Sequence, residues 1–225
     1  SDLWETKTLS FHRKWRTLVH PMDIDETNYV ASIQNITQVF NETQKFPEMD
    51  AYLVSKLFAD WTTAGGVADT TTLTSSNILT KYDAFMQTMD EARVPVNGRV
   101  LYVTPAVNTI LKEAAMGIRR VMNGDAALDR SVRSIEEVQI EIVPSDLMKT
   151  VYDFTTGWTA GVSAKQINML LVHPSSVITP ERYAFAQLDE PSAGSEGKYD
   201  YYEESYGDVF ILNNRKGAIM FNTAS

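Results

Sequence analysis

The sequence predicts an α+β protein in which helices and strands follow one another without a regular β-α-β alternation. Apolar residues recur at helical spacing in several segments, whereas other segments alternate between apolar and polar residues. Proline, glycine and an Asn-Gly pair mark most of the boundaries between these segments. Because the chain has no repeat of solenoid length and no low-complexity tract, we expect mixed layers of helix and sheet.

The N-terminal part predicts two strands followed by a long helix. Period-two alternation in residues 4–9 and 15–20 indicates strands that pair with each other. Asp23 and Glu26 have the spacing of a capping box, and a narrow apolar stripe follows them at helical spacing. We expect this helix to break or kink at Pro47, before a second helix begins.

The rest of the chain predicts two more helices, one loop and a series of strands. The helices are expected around Ile78–Met89 and after Thr104-Pro105, where Thr serves as cap and Pro as first helical residue. We interpret residues 116–133 as a loop. Strands are expected at 99–103, 138–142, 167–172, 177–188, 199–212 and 218–221, with a hairpin turn at 213–217 between the last two.

Length and composition are those of an ordinary globular protein. The 225 residues are enough for one medium domain or two small interleaved ones. The chain has no cysteine, which excludes disulfides and thiolate chemistry and suits a reducing cytosol. No apolar run approaches the roughly 20 residues that span a bilayer, so we expect no membrane partner. The chain opens at Ser1 without a signal peptide, as an N-terminally truncated product would.

The distribution of charge points to one candidate surface. A formal net charge of −9 disfavours sequence-specific nucleic-acid binding, because the phosphate backbone repels an acidic protein. Basic residues nevertheless concentrate near the N-terminus. We interpret Lys7, Arg13, Lys14 and Arg16 as candidate subunit-interface residues that meet an acidic patch on a partner. The alternative is a solvated basic strand face.

The motifs of catalysis are missing from the sequence. It contains no phosphate-binding loop, dinucleotide fingerprint or G-x-S-x-G elbow, and we assign no catalytic residue, no cofactor and no metal ligand. His12 and His20 lack a chelating spacing, and His173 before a proline is typical of a capped or packed strand end.

Two clusters of acidic residues can be interpreted either as structural or as part of a metal or catalytic site. Asp23, Asp25 and Glu26 resemble a site for a hard cation, but acidic side chains at a helix start cap free N–H groups, which we favour. Glu203 and Glu204 stand among tyrosines and leave a hydrolase as an alternative. Since neighbouring residues on a strand point to opposite faces, these two carboxylates do not form a catalytic pair by themselves.

Several segments, in order along the chain, resemble the major capsid proteins of tailed bacteriophages. The segments are Trp4–Ser10, Met22–Asn28 with Val30–Ser32, Pro47–Tyr52 with Ser55–Leu57, and Glu203–Phe210. The resemblance implies the Hong Kong 97 capsid fold, with an extended loop, a peripheral domain with a long spine helix, and an axial domain. Members of that family usually carry an N-terminal arm and the first half of the extended loop, which this sequence lacks.

The resemblance also implies a domain division and a function. We expect a remnant of the extended loop at 1–21, a peripheral domain at 22–66, an axial domain at 67–176, and strands of 177–225 that return to both. The implied function is a non-enzymatic, self-associating subunit of an icosahedral phage head that encloses DNA and is assembled in the cytoplasm of a bacterial host. Identical subunits are the expected partners, together with scaffolding, portal or decoration proteins. An encapsulin-type shell protein is the alternative that shares the fold.

Overall fold

A computed structural model describes residues 6–122 and 132–225, without the side chains of 116–122. The α-helices are α1 (Pro21–Glu26), α2 (Ile33–Phe40), α3 (Phe46–Thr63), α4 (Ile78–Glu91) and α5 (Pro105–Met122). The strands are β1 (Phe11–Val19), β2 (Val100–Val103), β3 (Ser134–Ile135), β4 (Val138–Ile142), β5 (Tyr152–Asp153), β6 (Thr159–Ala160), β7 (Ile167–Val172), β8 (Val177–Ile178), β9 (Glu181–Asp189), β10 (Tyr199–Gly207), β11 (Phe210–Ile211) and β12 (Ile219–Thr223). Among the described helices, none is both long enough and apolar enough to cross a membrane.

The chain forms two compact units, each built from segments that are distant in sequence. Unit one contains the chain up to Met49 together with Thr179–Val209, and unit two contains Asp50–Ile178 together with Phe210–Ser225.

Unit one is built on an antiparallel sheet with the order β1-β10-β9. Strand β1 pairs with β10 along its whole length, from Phe11 opposite Gly207 to Val19 opposite Tyr199. The prediction that 15–20 pairs with 4–9 is therefore wrong, because residues 6–10 form no strand, while residues 4 and 5 lie outside the described residues. A strand from the far end of the sequence supplies a longer ladder than the nearby segment.

The helical region of unit one breaks at a different place from the predicted one. After α1, Asn28 and Tyr29 have φ of 50° and 65°. The Tyr29 N–H donates to the Ile24 carbonyl at 2.8 Å, as in a Schellman motif, so this left-handed pair ends the helix. Ser32 then caps α2, with its Oγ accepting from the Asn35 N–H at 3.4 Å.

Pro47 lies inside a continuous helical run and does not break it. A π-helical turn at Asn41–Lys45 joins α2 to α3, and the Phe46 N–H bonds the Asn41 carbonyl five residues back. The widened turn accommodates a ring that has no N–H to donate, which explains why the expected break is absent.

The N-cap of α1 is His20, whose Nδ1 accepts from the Met22 N–H at 3.2 Å, with Pro21 in the first turn. The capping box predicted for Asp23 and Glu26 is therefore wrong. Asp23 instead lies within the first turn, where its charge still favours the helix dipole.

Unit two is a five-stranded mixed sheet, β12-β7-β2-β4-β3, in which β2 and β4 are parallel. One apolar core joins Leu101, Val103 and Leu171 of the sheet to buried residues of α4 and α5. The second core joins Leu170 and Phe221 to Leu57 and Trp61 of α3. Alternate residues of β7 thus enter different cores, as expected for a central strand covered on both faces.

Most local predictions in unit two are confirmed. Ile78, Tyr82 and Met89 are almost fully buried on α4, and β2, β4 and β7 lie within the predicted strands. The loop predicted for 116–133 is wrong up to Met122, because α5 continues that far; residues 123–131 lie outside the described residues.

The predicted hairpin at 213–217 is also wrong. This segment lies within a 3-10 helix, Asn213–Ala218, and the strands on either side of it belong to different sheets. Strand β11 pairs with β8, whereas β12 pairs with β7.

Candidate subunit-interface surface

The candidate basic residues lie on and just before the edge strand β1. Lys7 precedes the strand and is exposed. Because side chains alternate along a strand, Arg13 points to one face of the sheet, while Lys14 and Arg16 point to the other. The sequence therefore places the four residues near one another, and the fold divides the three that lie on β1 between two faces.

On the face of Arg13, helical residues of unit one cover the sheet. Arg13 Nε lies 2.6 Å from Glu48 Oε1, Lys45 pairs with Glu203, and Trp15 stacks on Phe40 with ring centroids 4.3 Å apart. These residues line a small cavity of about 120 Å³. Arg13 thus neutralises a carboxylate of its own chain.

On the opposite face, Glu204 lies at the centre of a polar and aromatic cluster. His12 Nε2 is 2.7 Å from Glu204 Oε1, and Tyr202 donates to the same carboxylate at 2.8 Å. The His12 ring stacks on Tyr206 with centroids 4.0 Å apart. Hydrogen bonds from Tyr202 and His12 hold the pKa of Glu204 below its usual range.

Arg16 is also engaged within the chain. Its guanidinium makes a two-pronged contact with Asp200, at 2.8 Å through Nε and 2.5 Å through Nη2. The hydrogen bonds from Arg16 lower the pKa of Asp200, and Asp200 in turn raises the pKa of Arg16. The Lys14 side chain, by contrast, is exposed and makes no hydrogen bond or ion pair with any described residue.

Glu203 and Glu204, the two carboxylates on which the alternative hydrolase function depended, lie on opposite faces of the sheet. Glu203 faces Lys45 and accepts from the Tyr201 hydroxyl at 3.1 Å, while Glu204 faces His12. The prediction that they point to opposite faces is confirmed. Within the described ranges, no group of three or more His, Asp or Glu residues could hold a metal ion.

Strand β9 is a surface that the sequence analysis did not identify. All nine of its residues are exposed, including Tyr183, Phe185 and Leu188, although it lies in a regular sheet. The alternation of aromatic residues with Ala184 and Ala186 predicted a strand, but it carried no information on which face would be covered.

Unit two contains an apolar cavity of about 330 Å³. Apart from Asp50 and Tyr102, the residues around it are apolar, and they include Leu53, Val54, Leu57, Leu170 and Val172. Such a lining suits an apolar group better than proton transfer. His173, elsewhere in unit two, caps a short 3-10 helix by accepting from the Ser175 N–H at 3.2 Å, as predicted for a capped strand end.

The fold is shared with solved shell structures, whereas neither a family model nor a curated protein matches the sequence significantly. The capsid structure of cyanophage P-SCSP1u aligns with a TM-score of 0.66 and 12% identity, over 100% of this chain and 78% of that one. A structure of Mycobacterium phage Che8 gives 0.62 and 12% identity, over 98% and 76%. The encapsulin complex of Synechococcus elongatus PCC 7942 gives 0.59 and 13% identity, over 96% and 73%.

At such identities the likeness concerns the course of the backbone, and it extends over nearly the whole chain in each comparison. The helix that continues from α2 through α3, the mixed sheet of unit two and the long strands of unit one all fall within it. The chain has the Hong Kong 97-type capsid fold.

Proposed function

We propose that the chain is a structural major capsid protein that self-associates into an icosahedral phage head enclosing DNA. The observation that carries this proposal is the match of 98–100% of the chain to structures from two phages. A local motif can recur on unrelated proteins, whereas this match follows the backbone over nearly the whole chain. Function depends on the surfaces that a fold carries rather than on the fold itself, so the shell role is a proposal.

In this proposal unit one is the peripheral domain and unit two is the axial domain. Support comes from the division of the chain, since unit one contains β1, α2 and the long β9–β10 hairpin, whereas unit two contains the mixed sheet. The ranges 1–21, 22–66, 67–176 and 177–225 stay predictions.

Among the four basic residues, Lys14 is the best-supported candidate for a contact with another subunit. Arg13 and Arg16 are bound to Glu48 and Asp200 of the same chain, so their reversal would disturb the unit itself. The Lys14 side chain is exposed and makes no hydrogen bond or ion pair with a described residue. We propose Lys14 as the residue that meets an acidic neighbour, with Lys7 as a further candidate.

The proposed role is non-enzymatic, and the expected site of action is the virion, after assembly in the cytoplasm of a bacterial host. Identical subunits are the principal partners. Scaffolding, portal or decoration proteins are further partners of a phage head, and neither sequence-specific nucleic-acid binding nor a membrane has a part in the proposal.

Electron microscopy of the full-length protein that carries this sequence tests the proposal. We expect closed shells or rings in negative stain, and a matching mass by light scattering. A protein that stays monomeric at every concentration and salt condition tested would contradict a shell role.

The encapsulin match supports a second candidate function, a non-viral shell. The contents of particles isolated from the native source distinguish the two. Nuclease-protected double-stranded DNA supports the phage head, whereas an enclosed protein cargo without DNA supports the encapsulin-type shell.

A further inference from the structure

Strand β9 presents a long free edge to solvent. Among the described residues only β10 pairs with it, and all nine of its residues are exposed. It contains no proline, glycine or lysine, the residues that commonly protect an edge. A bulge leaves Arg182 without a partner residue on β10, so the regular part of the strand is Tyr183–Asp189.

We propose that two copies of this chain pair through that edge, with their β9 strands antiparallel about a twofold axis at Ala186. The inference rests on the proposed function, because a closed shell requires contacts between identical copies. An exposed edge with apolar side chains on both faces is a ready template for strand addition.

Symmetry restricts the possible registers of such a pair. A twofold axis between antiparallel edge strands stands perpendicular to the sheet, so the residue on the axis lies opposite itself. With Ala186 on the axis, Tyr183 lies opposite Asp189 of the second copy, and Ala184 lies opposite its Leu188. This register includes the whole regular stretch, since Tyr183 and Asp189 are equally far from Ala186.

The neighbouring registers are less favourable. An axis at Phe185 brings Leu188 and Asp189 to the bulged end of the second strand, so the regular pairing becomes shorter. An axis at Gln187 leaves Tyr183 beyond the regular part of the second strand, so that its side chain stays exposed.

The side chains complement one another in the Ala186 register. Leu188, which is 54% exposed, packs over the small Ala184 of the second copy. The Tyr183 hydroxyl stands beside the Asp189 carboxylate. Arg182 and Glu190, which make no ion pair with described residues of their own chain, come together at each end of the ladder.

The absence of cysteine from these 225 residues permits a sharp test of this geometry. The variant Ala186→Cys in the full-length protein places two thiols across the axis, within reach of a disulfide. The matched control is Ala184→Cys, on the same strand and face. Its two copies lie four residues apart along the ladder, about 13 Å, which exceeds the Cα separation of about 7 Å that a disulfide allows.

After mild oxidation with copper-phenanthroline, we expect about ten-fold more disulfide-linked dimer for Ala186→Cys than for Ala184→Cys on a non-reducing gel. Equal yields from the two variants, or none from either, would overturn the inference. Microscopy of the same samples separates the two proposals. If particles form but Ala186→Cys gives no cross-link, the shell role stands and the proposed β9 contact is wrong. If the cross-link forms but no particles are seen, the β9 contact stands and the shell role is contradicted.

Discussion

The buried guanidinium of Arg99 lies 2.6 Å from the carboxylate of Asp90, through its Nη2 atom. The Arg99 side chain is fully buried, and it also donates to the carbonyls of Val94 and Pro95. One cation thus binds the C-terminal end of α4 to the turn that leads into β2.

We expect Arg99→Met to destabilise the protein by about 3 kcal/mol, because two carbonyls and a carboxylate lose their donor. Asp90→Asn is the comparison. The Asp90 side chain is 57% exposed, so water replaces part of the lost contact and the cost falls to about 1 kcal/mol. Urea unfolding followed by tryptophan fluorescence measures both, and equal midpoints for Arg99→Met and the natural protein would contradict this role.

Acid should weaken unit one. The pKa values of Glu204 and Asp200 are lowered in the folded protein, so both carboxylates stabilise it fully above their unfolded pKa values of about 4. That contribution is lost as the pH falls through the folded pKa values. The unfolding temperature, measured from about pH 6 to about pH 3, should fall as this contribution is lost. In Glu204→Gln the unfolding temperature should depend less steeply on pH.

Alkali should reveal two late-titrating tyrosines. Burial raises the pKa of Tyr82 and of Tyr152 to about 12. Their neutral forms stabilise the fold fully below the unfolded pKa of about 10, and this contribution is lost as the pH rises towards about 12. Ultraviolet titration of the phenolate should show a late step that shrinks in Tyr82→Phe. If the late step is unchanged in Tyr82→Phe, Tyr82 is not one of the late-titrating tyrosines.

Gly66 should tolerate no side chain. A Cβ built there would lie 2.3 Å from two ring atoms of Trp61, which is 4% exposed. We expect Gly66→Ala to cost about 1–3 kcal/mol through overpacking. Gly194→Ala is the control, because its Cβ would meet nothing nearer than Ser192 Oγ at 3.8 Å. Chemical denaturation of both variants checks the difference.

Lys14 should matter for assembly and not for folding. Because its side chain is exposed and makes no hydrogen bond or ion pair with a described residue, Lys14→Glu should leave the unfolding midpoint unchanged and lower the particle yield. Arg16→Glu, which places a carboxylate beside Asp200, should lower both. A normal particle yield from Lys14→Glu would remove this residue from the interface.

Sequence alone determined the elements whose burial follows from local spacing. Ile78 and Met89 lie on one face of α4, and the apolar runs of β2 and β7 mark strands covered on both sides. The Thr104-Pro105 start of α5 was equally readable, because a cap and its helix are neighbours in sequence. In each case the residues that decide the structure lie within a few positions of one another.

Only the tertiary structure determined which distant segments pair and which basic side chains form ion pairs within the chain. Strand β1 pairs with β10 and not with the nearby N-terminal segment. The strands on either side of the 3-10 helix at Asn213–Ala218 belong to separate sheets. The sequence predicted that Arg13 and Arg16 would be available to a partner, but in the fold they form ion pairs with Glu48 and Asp200 of the same chain. Local patterns show which side of a strand prefers to be buried. The partner that buries it depends on the register and packing of the whole chain.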